Sequence, residues 1–146
     1  MKMIAYHGTD RDFDRFDDSF IGSRSRMQDA VGHFFVDSWE GADWFTTEEV
    51  FSRFIPASNL KVVMTCELQF DNPKTIGVFP LLRWDLVRSI LEKAKNAGHD
   101  GTVFNDAGIK NNDLTKSRIY VAFSAKSVKI VAKEMSRNET VLDRWS

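Results

Sequence analysis

From Leu60 to Phe70 the chain alternates. Leu60, Val62, Met64, Cys66, Leu68 and Phe70 fall on one side, and Lys61, Val63, Thr65, Glu67 and Gln69 on the other. A period of two with one apolar side predicts a half-buried strand. Asp71-Asn72-Pro73 predicts its end, because proline lacks the donor that a ladder needs. Shorter apolar runs predict strands at 2–6, leading into His7-Gly8-Thr9, and at 32–36, 102–104, 119–123 and 128–131. After Pro80 the period becomes helical. Leu82, Leu86, Ile90, Ala94 and Ala97 predict a helix with that row turned inward, and Gly98 predicts its stop. Asp37 with Glu40 three residues on is a capping-box pattern. It predicts a second helix from about Ser38 that carries Ala42, Phe45, Phe51 and Phe54 inward. Residues 10–26 are polar with Phe13, Phe16 and Phe20 set among aspartates, which predicts a loop held by aromatic plugs. The order of elements predicts an α+β fold with a mostly antiparallel sheet. No repeat or Gly/Ser/Pro-rich linker interrupts the chain, so a single domain over 1–146 is expected, with a peripheral tail from about 134.

Composition narrows the choice of partners. Lys+Arg 20 against Asp+Glu 21 leaves a net charge of −1. No global basic field exists to gather nucleic acid or an anionic membrane. No apolar run has the length of a membrane helix. Cys66 is the single cysteine, so no intrachain disulfide forms and a cytoplasmic setting is expected. Its place on the apolar side of the strand predicts a core thiol rather than a nucleophile.

Candidate chemistry gathers at the first strand. Glycine lets a backbone approach a flat ligand and offer its N–H and C=O. In Tyr6-His7-Gly8-Thr9, an imidazole and a hydroxyl flank such a glycine. That set suits a carboxamide and a ribose. Gly32-His33-Phe34-Phe35, followed by a helix bearing Trp44, supplies two aromatics able to sandwich a planar ring. Alternation requires one of Phe34 and Phe35 to be core. His33 and His99 have no third ligand at metal spacing. No phosphate loop and no nucleophile elbow is present.

Five segments in order resemble the ADP-ribosyltransferase fold of the diphtheria-toxin and poly(ADP-ribose) polymerase branch, and in particular its small bacterial and phage members. They are Tyr6-His-Gly-Thr9 with Phe13 and Phe16; Gly32-His-Phe-Phe-Val-Asp37 with Ala42-Asp-Trp44; Glu67-Leu-Gln-Phe-Asp-Asn-Pro73; Ala97-Gly-His-Asp-Gly-Thr-Val103; and Ile119-Tyr-Val-Ala-Phe123 with Val128-Lys-Ile130. The resemblance implies a split, mostly antiparallel sheet with flanking helices, NAD as co-substrate and no metal. It implies that His7 holds a ribose hydroxyl and that Gly8 pairs with the nicotinamide carboxamide. Thr9 and Tyr6 stand beside them, and Phe34 and Trp44 flank the nicotinamide. Arg24 and Arg26, in the loop between motifs, have the chemistry to pair with the pyrophosphate. The branch usually carries a glutamate where this chain has Ser117, Arg118 and Ile119. The nearest carboxylates are Asp106 and Asp113, and Asp106, directly after a strand, is expected to act catalytically with His7. The implied activity is mono-ADP-ribosylation of a macromolecule, protein before nucleic acid, by a toxin, phage effector or anti-defence factor that an antitoxin or host protein could neutralise. An inactive binding or inhibitor protein and an NAD glycohydrolase are the alternatives.

Overall fold

The computed structural model describes residues 1–9, 12–18, 31–42, 60–80, 83–106 and 117–137. Strands β1 (Lys2–Thr9), β2 (His33–Val36), β3 (Leu60–Gln69) and β4 (Pro73–Val78) precede helix α1 (Trp84–Asn96). Strands β5 (Gly101–Asp106), β6 (Ile119–Ala122) and β7 (Val128–Arg137) follow it, with a 3-10 turn at Ala125–Ser127. They form a seven-stranded sheet in the order β4-β5-β6-β2-β1-β3-β7. The expectation of a mostly antiparallel sheet holds. Among the described strands only β4 and β5 run parallel, and α1 supplies the crossover that a parallel pair requires.

The sheet is two ladders joined at one point. β1 pairs with β3 without interruption from Lys2↔Gln69 to Thr9↔Val62. β1 meets β2 only at Tyr6↔Val36. Thus β4-β5-β6-β2 forms one half and β1-β3-β7 the other.

Each face of the sheet has its own core. Val87, Leu91 and Ala94 of α1 pack with Val36, Phe104, Ile119 and Val121 on one face. Val62, Met64, Cys66, Leu68 and Phe70 fill the other with Ala5, Phe35 and Phe16. The alternation of β3 is therefore realised, and burial pushes the Cys66 thiol up to about 12, as befits a core thiol. The buried row of α1 differs from the expected one. Val87 and Leu91 are fully enclosed while Leu86 is 41% exposed. The two rows share Ala94 and lie one residue apart on the helix. The sheet selects the row that buries two branched side chains, about 1.5–3 kcal/mol each. The helix begins at Trp84 rather than Pro80 and stops as expected, with Gly98 at φ +92°.

Two strands differ from expectation. Pro73 ends β3 but opens β4, because the first residue of an edge strand needs no donor. β7 pairs with β3, across one register shift at Thr65/Cys66, to Leu60↔Arg137, and so runs into the polar stretch from about 134. The helix after β2 starts one position later than the Asp37-Glu40 pattern suggests. Ser38 Oγ accepts the Gly41 N–H at 3.0 Å, so Ser38 is the cap, and Asp37 N–H goes to the Arg118 carbonyl instead. Ala42 is buried as expected. Phe20, Phe45, Phe51, Phe54 and Leu82 lie outside the described residues.

Candidate functional site: the split between β1 and β2

Ladder parity shows what faces the split. Met1 and Phe70 exchange both backbone hydrogen bonds, at 2.9 and 2.8 Å. In an antiparallel ladder such exchanges recur at every second residue. With β1–β3 unbroken, Ala5, His7 and Thr9 bond to β3, and Tyr6 and Gly8 turn their N–H and C=O away from it, toward β2. On β2 the Asp37 N–H donates to Arg118 O. The same parity turns Phe34 and Val36 toward β1. A regular sheet would continue from Tyr6↔Val36 to Gly8↔Phe34, but it does not. Instead His7 Nδ1 lies 2.6 Å from the Phe34 carbonyl. A carbonyl only accepts, so Nδ1 carries the proton. The side chain thus occupies the acceptor that the Gly8 N–H would otherwise take, and among the described residues the Gly8 peptide, turned toward β2, has no hydrogen-bond partner.

His7 is half-buried, and three phenylalanines stand against its ring. Phe16 lies at 5.0 Å, Phe35 at 5.5 Å and Phe13 at 6.4 Å between centroids. Burial pushes its pKa from 6.5 down to about 4. The bond to Phe34 opposes this and the charge of His33 adds to it. At neutral pH the imidazole is therefore uncharged. With the proton on Nδ1, Nε2 is a bare acceptor, and it has no protein partner among the described residues. An acceptor beside an outward-facing peptide can hold a ligand hydroxyl next to an amide.

Two features of this site escaped the sequence reading. His33 Nε2 and Asp18 Oδ1 are 3.0 Å apart. Asp18 also accepts the Ala125 N–H at 2.7 Å and the Ser124 hydroxyl at 3.4 Å. Burial would raise the Asp18 carboxyl, but the hydrogen bonds from His33 and Ala125 outweigh it and hold it below the usual range. Trp39 packs against the α1-face cluster that includes Tyr6 and Phe34, and its buried indole N–H has no partner among the described residues. Spacing gives no signal for Asp18, which lies in a run of aspartates. Gly32 could have pointed to the tight start of β2, since a Cβ there would lie 2.7 Å from the Ala122 carbonyl.

The structure brings Tyr6, His7, Gly8, Thr9 and the Phe34 backbone together at the split. It divides their side chains between faces. Tyr6 and Phe34 pack with the α1-face core, while the ring that meets His7 is that of Phe35, 1% exposed. Asp106 is not brought to this point. It follows Phe104, which shares a cross-sheet row with Ile119, Val36 and Tyr6. From that row Asp106 lies two residues one way and His7 one residue the other, with three strand spacings, about 14 Å, between their strands. Arg24, Arg26, Trp44 and Asp113 lie outside the described residues. Among the described residues no three His, Cys, Asp or Glu side chains group as a metal would require, and no helix is long and apolar enough to cross a membrane.

A split antiparallel sheet with a His-Gly strand end at its opening is the architecture of an ADP-ribosyltransferase. The fold is similar to a chain of the crystal structure of the M. tuberculosis MbcT–MbcA toxin–antitoxin complex, with a TM-score of 0.58 at 9% identity, over 98% of this chain and 88% of that one. No curated protein matches the chain by sequence. Residues 1–138 match ART-PolyVal, the ADP-ribosyltransferase in polyvalent proteins, and the chain belongs to that family. NAD is the substrate of such enzymes.

Proposed function

We propose that the chain binds NAD in the split between β1 and β2 and transfers its ADP-ribose to a macromolecule, a protein before a nucleic acid. The observation that carries this is the displaced ladder bond. His7 fills the Phe34 carbonyl, so the Gly8 N–H and C=O are free to pair with the nicotinamide carboxamide, and His7 Nε2 accepts from a ribose hydroxyl. Tyr6 and Phe34 then lie on the α1 face of that peptide, with Thr9 at its end. Arg24 and Trp44 complete the reading as pyrophosphate and ring partners.

In the reaction, the bond between nicotinamide and the ribose C1′ breaks. Its electron pair stays on the nicotinamide nitrogen and cancels the pyridinium charge. The acceptor's lone pair then attacks C1′, and the acceptor loses a proton. The protein contributes orientation and a fixed electrostatic frame. Asp106 enters as the stabilising carboxylate only for a ligand or acceptor that extends across β2 and β6.

Labelled NAD incubated with the protein and a cell lysate tests the reading. Label on a protease-sensitive macromolecule supports protein transfer, and nuclease-sensitive label moves the acceptor to nucleic acid. Free ADP-ribose without an acceptor would make the protein a glycohydrolase. Binding without turnover would make it a binding or inhibitory factor. No NAD binding would defeat the reading. Normal turnover in Asp106→Ala would remove that residue from the reaction. The likeness to a chain of a toxin–antitoxin complex supports a toxin-like role with a neutralising protein partner.

A further inference from the structure

Segment 12–18 crosses the face of the sheet that carries His7, and it is staked at both ends. At one end Lys133 of β7 reaches Asp12 at 2.7 Å, Asp14 at 3.0 Å and the Phe13 carbonyl at 3.3 Å. At the other, Asp18 is bound by His33 of β2 and by Ser124 and Ala125 beyond β6. The two anchor points belong to different halves of the sheet, and β1 and β2 join those halves through the one register pair Tyr6↔Val36. Lys133 lies in the same cross-strand row as His7, through Met64. Between the stakes, Phe16 is 8% exposed and meets four rings. It lies 5.0 Å from His7, 5.0 Å from Phe13, 5.1 Å from His33 and 5.2 Å from Phe35.

We propose that segment 12–18 is a clasp across the split, and that Asp18 and Lys133 are positioning residues that hold Phe13 and Phe16 against His7 and so fix its imidazole for the ligand. This rests on the NAD reading for the ligand, but not for its effect on His7. Neither residue needs to touch NAD. Each acts by closing the aromatic wall behind the ring, which keeps water from Nδ1 and preserves its bond to Phe34. The groups near that wall among the described residues are His33 with Asp18, Lys133 with Asp12 and Asp14 behind Phe13, and Arg15 and Asp17, exposed on either side of Phe16. Tyr6 lies on the opposite face.

The test follows the three histidines by side-chain nitrogen NMR in the ligand-free protein, titrated from neutral pH downward. Wild-type His7 is expected to titrate near 4 with the proton on Nδ1. In Lys133→Met the wall loosens, and the midpoint is expected to rise by about one unit or more toward the free-imidazole value. Asp18→Asn is expected to do the same. Asp18→Asn removes a negative charge, which by itself would lower the midpoint, and Lys133→Met removes a positive one, which by itself would raise it, so a rise in both variants separates packing from electrostatics. Lys133→Arg is expected to restore the wild-type midpoint. In NAD turnover the two loosened variants are expected to raise KM on the order of tenfold with a smaller change in kcat, because misplacement by a fraction of an ångström weakens binding geometry first. A His7 midpoint that stays near 4 in both variants, with wild-type backbone spectra, overturns the clasp. Failure of the wild-type protein to bind NAD would instead defeat the proposed function while leaving the titration result readable.

Discussion

His7 and His99 each bring Nδ1 to a backbone carbonyl 27 residues away, His7 to Phe34 at 2.6 Å and His99 to Asn72 at 3.0 Å. His99 sits where α1 turns into β5. The groups beside it tie that turn to the β3–β4 connection and to Phe123. The Asp71 and Asn72 N–H groups go to the Asp100 carboxylate at 2.6 and 3.1 Å, and the Asn72 amide reaches the Gly98 carbonyl at 3.4 Å. Around His7 the opposite holds. Its bond takes the place of a ladder bond, leaves a peptide turned outward and lies under three phenyl rings. The same hydrogen bond closes a joint in one place and holds a sheet open in the other. What makes His7 a site is the surplus of unfilled backbone capacity beside it, together with an imidazole kept neutral by burial.

The sharpest way to break this comparison is to remove both imidazoles in turn. His7→Ala is expected to lower NAD binding by at least about a hundredfold, since it deletes the hydroxyl acceptor and lets Gly8 close onto Phe34. Isothermal titration with NAD checks it. Binding that survives within a fewfold would mean the split is not the site. Gly8→Val is expected to cost on the order of tenfold or more, because a branched side chain on the α1 face of β1 stands beside the peptide that the ligand must approach. The backbone of that variant should stay intact, as valine suits a strand, so near-normal melting with lost binding is the expected pair of results.

Stability against pH sharpens the same contrast. The folded pKa of His7 is near 4, below its unfolded value of 6.5. Between these values the unfolded chain binds a proton that the folded chain refuses. The contribution of His7 is therefore present above about pH 6.5 and is lost as pH falls through 4, by at most about 3.4 kcal/mol. Asp18, held below the usual carboxylate range, loses its contribution lower still. Urea unfolding at pH 7 and pH 5 is expected to show the loss in wild type and a flatter profile in His7→Gln. Equal slopes in both proteins would mean that His7 is not buried as described.

Much of the scaffold was legible in the sequence. The alternation in β3 and the glycine after α1 name their elements through local physics alone. The strand that carries residues 6–9 was legible too, from the apolar run that leads into them. The inward row of α1 was not legible, since two apolar rows one residue apart look alike until the sheet selects one. β4 was missed because proline was read as a terminator, and an edge position forgives it. Nothing local distinguishes Asp18 from its neighbouring aspartates. Its role comes from His33 and Ala125, contacts 15 and 107 residues away, and pairings of that range leave no periodic trace. Asp106 is the last residue of β5 rather than a residue beyond it, and only the register shows that two strands lie between it and β1.

The smallest expected effect completes the contrast. His99→Ala removes a bond in a turn where Asp100 already ties Asp71 and Asn72 to the start of β5. Its cost is about 0.5–1.5 kcal/mol, the net worth of one partly exposed hydrogen bond, and NAD binding should be unchanged. Gly98→Ala, at φ +92°, places a Cβ in the left-handed region and should cost about 1–2 kcal/mol through backbone strain, again without touching binding. Thermal melts with NAD titration on both variants separate the two junctions. If either substitution at the α1–β5 turn weakened NAD binding as much as Gly8→Val, the joint and the split would be one coupled unit. The outward-facing peptide of Gly8 would then no longer suffice to explain where the ligand sits.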